Sequence, residues 1–350
     1  MRKYRRTEPV RQGVDTSKHS ANASSETLIL MMRADKERKV PVLLILAGLV
    51  VVIGSVVAGY LLEQGNLLVL MQPAELIIIA GGAAGIILVS SPARNLRILC
   101  RAVFSVCVHR SYSRDSYLDA LKLLYVLFSL GRGTGRLDLE KHVEDPYESD
   151  VFQAHSSVLS DAEATSFICD SLRMAISAGL GEQEVERLMV LDMEVQRSGR
   201  QQPLRVIMNV ADSLPGLGII AAVLGVVVTM QALGGPAQAI GQKVAAALVG
   251  NFFGILACYG VVSPLSSRLE SLGKARTEYL QVLRVAIGSY FHGASPLVSA
   301  ESARRSIPLD LRPTLEEMET ELRRERIPLT RDQLQAMAGQ ESVAAEGADG

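Results

Sequence analysis

The chain has 350 residues, 48% of them hydrophobic, with no Trp, while 21% carry charge. That charge content excludes a wholly embedded transporter, and the mixture predicts a membrane protein with a substantial soluble part. The formal net charge of −1 says little about partners, because the charges are unevenly distributed along the chain.

Residues 1–30 are polar and Ser-rich, and 1–40 read as a disordered N-terminal cytoplasmic extension. Four apolar runs then meet the length needed to cross a bilayer, roughly 17–25 residues. They are 42–62, 74–91, about 214–233 and about 244–263. The first starts too far along the chain, and lacks a small-residue cleavage site, to read as a signal peptide. Arg33, Lys36, Arg38 and Lys39 precede the first run, and Arg94, Arg97, Arg101 and Arg110 follow the second. "EQGNLLVLMQP" between them has neither Lys nor Arg, and "QALGGPAQAIGQK" between the third and fourth has only Lys243. By the positive-inside rule both termini and the long middle segment are cytoplasmic.

The expected organisation is all-α: membrane helices 1 and 2 in 41–93, a helical cytoplasmic domain in 94–212 and membrane helices 3 and 4 in 213–264. Residues 265–350 then hold cytoplasmic helices and a disordered acidic tail. "SYLDALKLLYVLFSLG", "ATSFICDSLRMAISAG" and "GEQEVERLMVLDMEVQRSGR" carry apolar residues at helical spacing, the second ending at a glycine cap. The cysteines Cys100, Cys107, Cys169 and Cys258 form no CxxC pair and have no His at ligand spacing, so reduced thiols and no metal are expected. GxxxxGK[ST], HExxH and GxSxG are absent, which argues against nucleotide-driven or hydrolytic chemistry.

No Asp, Glu, His, Lys or Arg lies in the body of a crossing; Glu75 and Asp212 fall at run ends, where water or headgroups reach them. Small residues are frequent, among them Gly81, Gly82, Gly85, Gly216, Gly218, Ala221, Ala222 and Gly225. They suit close helix packing, inside this chain or against a foreign helix. Pro215 cannot donate to the Ala211 carbonyl, nor Pro264 to that of Gly260, so a bend is expected at each, near the cytoplasmic face. Thr229 reads as a hydroxyl bonded to its own helix.

"MQPAELIIIAGGAAG", "GRGTGRLDLEKHVEDPYESDVF", "ADSLPGLGIIAAVLGVV" and "VGNFFGILACYGVVSPL" resemble the MotA family, the A subunits of bacterial flagellar stators, over roughly residues 40–325. The resemblance implies a transducer rather than an enzyme, with no cofactor and no nucleic-acid partner. It implies a ring, understood as a pentamer, around a MotB dimer whose single-span subunits carry the ion-binding aspartate. It places Pro215, Ala222, Asn251, Tyr259 and Pro264 on the ion pathway and partner-helix face. Arg132 and Glu140 become contacts to the rotor switch protein FliG. Beside them, Arg136 and the acids Glu144, Asp145, Glu148 and Asp150 give a basic spot next to an acidic one.

Ala222 stands where sodium-driven relatives carry Thr, which favours protons. Asn251 replaces a usual hydroxyl residue and could ligate a cation, which keeps a sodium-driven stator as an alternative. An ExbB- or TolQ-like energiser typically has one crossing before its large loop, whereas two are expected here. A permease or scaffold would need no MotB-like partner.

Overall fold

The computed structural model describes residues 44–108, 112–133, 136–177, 179–231, 234 and 236–325. The N-terminal extension and the acidic tail lie outside them. Among the described residues the secondary structure is helical, without strands. Four helical segments are long and apolar enough to cross a membrane. The chain divides into two compact units, residues 1–65 with 107–110, and 66–106 with 111–350.

In the first unit, α1 (Leu44–Leu62) is an apolar helix. It stops where Gln64 turns left-handed at φ 57° and Gly65 donates to the Tyr60 carbonyl at 2.9 Å. The Tyr60 ring covers Gly65 so closely that an added Cβ would stand 2.5 Å from it and push the ring aside.

The second unit begins with α2 (Leu67–Leu70), capped by the Asn66 side chain on the Leu68 N–H at 3.0 Å. Pro73 opens α3 (Pro73–Ser90) at a position where its missing N–H costs nothing. The basic, amphipathic α4 (Ala93–Val108) follows. Next come α5 (Arg114–Gly133), α6 (Arg136–Glu144), α7 (Asp150–Ala154), α8 (Ser156–Leu159) and α9 (Ala162–Ser177). Asp161 caps α9 by accepting the Ala164 N–H at 3.1 Å, and Gly179, at φ +59°, provides the turn that follows.

The helices that carry the third and fourth apolar runs continue well beyond those runs. α10 (Glu182–Met230) is one helix of 49 residues through Pro203 and Pro215, joining the amphipathic segment expected at 182–200 to the third crossing. α11 (Ala237–Leu256) passes through a π-helical turn, Ala257–Val262, into α12 (Ser263–Phe291). The compositional boundaries at 212/213 and 264/265 therefore fall inside continuous helices. α13 (Pro296–Ser306) and α14 (Leu315–Arg324) complete the unit, α14 opening on a Thr314–Glu317 capping box.

Two cores result. The larger joins Leu121, Leu124, Leu127 and Phe128 of α5, Ile168 and Leu172 of α9, Tyr279, Leu283 and Ile287 of α12, and Met318 of α14. The soluble segments on either side of the third and fourth runs are thus one packed body, although the sequence separates them by about fifty apolar residues. The smaller core, Ile79, Val210, Ala211, Leu214, Ala221 and Cys258, ties α3 to α10 and to the π-turn.

A buried ion-pair node fixes α12 to the start of α9. Arg276 pairs with Asp161, and its Nη2 lies 2.8 Å from Glu163. Tyr112 donates its hydroxyl to Asp161 at 2.7 Å and stacks on Tyr279, ring centroids 3.9 Å apart. Burial pulls the Arg276 guanidinium down to about 10, with Tyr279 opposing the shift.

Candidate functional site

The helices of the third and fourth runs meet along a seam of glycines. A Cβ added at Gly218 would stand 3.0 Å from the Gly250 carbonyl oxygen and 3.0 Å from the Gly254 Cα. One added at Gly254 would stand 2.7 Å from the Leu214 carbonyl oxygen and 2.8 Å from the Gly218 Cα. These contacts are backbone against backbone, the close approach small residues permit in lipid. Gly218, Gly225, Gly250 and Gly254 thus serve packing within this chain, whereas Gly81, Gly85 and Gly216 have no neighbour that a Cβ would meet within 4 Å.

Three expected pathway residues lie on or beside this seam. Pro215 is half-buried and follows the seam residue Leu214 in an unbroken α10. Ala222 has its backbone N 3.3 Å from where a Gly250 Cβ would be, and the Asn251 Cα is 3.2 Å from a Gly218 Cβ. Ala222 thus borders Gly250, and Asn251 borders Gly218, on the same seam. Tyr259 stands apart, 69% exposed in the π-turn, and Pro264 is exposed just beyond it.

The expected bend at Pro264 takes the form of a widened turn. The Ser263 N–H reaches back five residues to the Cys258 carbonyl. A proline ring in a regular helix clashes with the carbonyl four residues earlier, and the wider π-turn gives that carbonyl room. Thr229 donates to the Gly225 carbonyl at 2.8 Å, as the sequence suggests.

Glu75 corrects the sequence reading. Its side chain does not reach water or headgroups from the run end; it is 7% exposed and lies between α10 and α11. A Cβ on Gly225 would stand 3.4 Å from Glu75 Oε1, and one on Gly250 would stand 2.9 Å from Glu75 Cγ. Oε2 is buried without a hydrogen-bond partner. Position at the end of an apolar run suggests access to water, as an acid in the first turn of a helix ordinarily has, and here the neighbouring helices close over it. The available signal was a charge two residues after a helix-opening proline with no basic residue on its own helix.

The second site lies at the α5–α6 end of the larger core. Arg132 is exposed in the last turn of α5, where a cation suits the helix dipole. Glu140 on α6 is half-buried and accepts from the Ser177 hydroxyl at 3.2 Å. Their chain neighbours pack together, since a Gly131 Cβ would stand 3.0 Å from Leu139 Cδ2. Glu144, Asp145, Glu148 and Asp150 are all exposed. Arg173 ties α9 to α6 by donating to the Val143 carbonyl at 3.0 Å, which holds the charged end in place.

No group of three or more His, Cys, Asp or Glu able to hold a metal occurs among the described residues. Cys100, Cys169 and Cys258 are free thiols, and burial pushes Cys169 up to about 12, an inert core thiol.

Comparison with known proteins places these features. Residues 46–135 match the family described as Motility protein A N-terminal, and residues 160–281 the MotA/TolQ/ExbB proton channel family. The chain is 36% identical over 286 residues to Motility protein A of Salmonella typhimurium, covering 82% of this chain and 97% of that one. It is 32% identical to Chemotaxis protein LafT of Vibrio parahaemolyticus, over 78% of this chain and 95% of that one. Among solved structures it shares its fold with C. jejuni MotAB, at TM-score 0.64 and 19% identity over 77% of this chain and 96% of that one. The flagellar MotAB stator complex from Bacillus subtilis aligns at TM-score 0.62 and 20% identity, over 76% and 96%. With more than a third of residues shared along nearly the whole of a curated relative, the chain belongs to the motility protein A family.

Proposed function

We propose that this chain is the A-type stator subunit of a bacterial flagellar motor, a multi-pass inner-membrane protein that turns ion flow into torque. The observation that carries the reading is its near full-length similarity to Motility protein A of Salmonella typhimurium. The Lys and Arg pattern favours cytoplasmic termini and a cytoplasmic α4–α9 segment. A MotB-type partner contributes the ion-binding aspartate, and five copies of this chain surround a dimer of that partner. Pro215, Ala222, Asn251, Tyr259 and Pro264 face the pathway, with the exposed Tyr259 and Pro264 meeting the partner helix. The exposed Arg132 and the acidic face beside Glu140 engage FliG by charge complementarity.

Ala222 has no side-chain oxygen to offer a sodium ion, which favours protons as the carried ion. Expression in a strain lacking its own A subunit, with the cognate partner supplied, tests the function. Swimming should be restored, survive withdrawal of sodium and stop on addition of an uncoupler. Loss on sodium withdrawal alone would reverse the ion assignment, and absence of any rescue with both subunits present in the membrane would reject the stator reading. The ExbB/TolQ-like alternative is less well supported, because two of the four apolar helical segments, α1 and α2–α3, precede the large extramembrane block.

A further inference from the structure

Glu75 is a carboxyl in an apolar seam, and three observations set it apart from an ordinary structural acid. It is 7% exposed, and its Oε2 has no hydrogen-bond partner. The space it fills exists because residues 225 and 250 are glycines: a Cβ at Gly250 would press on Glu75 Cγ at 2.9 Å, and one at Gly225 would meet Oε1 at 3.4 Å. The same Gly250 position lies 3.3 Å from the Ala222 backbone N, so Glu75 and the expected pathway residue Ala222 border one glycine.

The charged groups around it are few. α2 has none, and α10 has none from Ser213 to its end at Met230. α11 has only Lys243, one turn before Ala247 on the face that includes Gly250, and its side chain is exposed. Burying a carboxyl in such surroundings without a paired cation is costly. A buried acid serving as structural glue would have its oxygens satisfied. One left unpartnered beside a pathway is suited to gaining and losing a proton.

We infer that Glu75 is a second proton-binding carboxyl of the pathway, carried by this chain. The step balances without a co-reactant. The Glu75 carboxylate takes a proton from water on the outer side, becomes the neutral acid, and returns to carboxylate by releasing that proton to water leading inward. Gly225 and Gly250 are positioning residues that leave room for the side chain. The inference rests on the stator reading and on the orientation given above.

The test uses the complex of this chain with its MotB-type partner in native membranes. Dicyclohexylcarbodiimide adds to protonated carboxyls in apolar surroundings, and peptide mass spectrometry reads the modification site by site. Glu75 should be modified, and less so as pH rises. In liposomes, Glu75→Gln should slow proton flux at least tenfold while the complex still co-purifies, and Glu75→Asp should restore part of it. Unmodified Glu75 at every pH would overturn the inference, and so would a Glu75→Gln complex with unchanged flux. If Glu75→Gln fails to assemble, the carbodiimide profile of the unaltered protein and the flux of Glu75→Asp decide in its place. Failure of the stator reading looks different: the unaltered complex would pass no protons and restore no swimming.

Discussion

Gly254→Ala should loosen the α10–α11 seam, which the structure closes at this point backbone against backbone. The new Cβ would lie 2.7 Å from the Leu214 carbonyl oxygen, 2.8 Å from the Gly218 Cα and 3.0 Å from the Gly218 N, all of them backbone atoms. None can rotate away, and ordinary contact begins near 3.4 Å, so α10 and α11 must separate by about 0.7 Å. A gap of ~0.5–1 Å forfeits about a quarter to a half of each dispersion contact across it. Overpacking of this kind costs ~1–3 kcal/mol. Gly218→Ala should cost slightly less, its nearest contacts starting at 3.0 Å. Gly82→Ala meets only the Leu217 side chain, which can change rotamer, and should be mild. Gly216→Ala has nothing within 4 Å, and should be neutral or stabilising by up to ~1 kcal/mol through helix propensity. Thermal melting of the four variants in one detergent gives the order directly. Gly254→Ala melting at or above Gly216→Ala would refute the seam as described.

Arg276→Ala should destabilise the extramembrane bundle by ~2–3 kcal/mol, short of the ~3–5 kcal/mol for a fully buried pair, since the Arg276 and Asp161 side chains keep 14% and 17% exposure. Adding Asp161→Ala should cost less than the sum of the single changes, as a double-mutant cycle by thermal melting can measure. Hydrogen bonding from Arg304 at 2.6 Å, with Arg305 assisting and burial opposing, holds the Glu301 carboxyl at about 2 instead of 4.5. The folded protein thus favours the ionised form, and this stabilisation is complete above about pH 4.5 and lost as pH falls towards 2. Glu301→Gln should flatten the fall in melting temperature across that window. Charge reversal by Arg132→Glu or Glu140→Lys should reduce motor torque in tethered-cell rotation while leaving the chain in the membrane at normal levels. Unimpaired rotation in both would remove these residues from the rotor contact.

The helical class and the four apolar runs were legible because 3.6-residue periodicity and run length are local signals. The Gly179 turn after α9 and the Thr229 hydroxyl bond were legible for the same reason. The union of the helical segments on either side of the third and fourth runs was not, since Tyr279 packs against Tyr117 and Tyr290 stacks on Phe128 across more than 150 residues of chain. Local periodicity carries no information about such pairing. Pro264 announced a disturbance in the helix, but whether it appears as a bend or as a π-turn depends on which carbonyl finds a donor. Glu75 was misplaced for a different reason. Distance from the end of an apolar run measures depth along one helix, whereas burial depends on what the neighbouring helices present. Here they present glycines.

The two longest helical segments have a mechanical corollary. α10, with 49 residues, measures ~73 Å at ~1.5 Å per residue, and the α11–π–α12 rod is longer still. Both run from the glycine seam at one end into the larger core at the other. Tilting α10 by ~5° about its lipid-embedded end would sweep the opposite end through ~6 Å. A small repacking at the seam would be enlarged at the far end of either helix, with Pro203 and Pro215 in α10 and the π-turn between α11 and α12 as the points where the rod can bend.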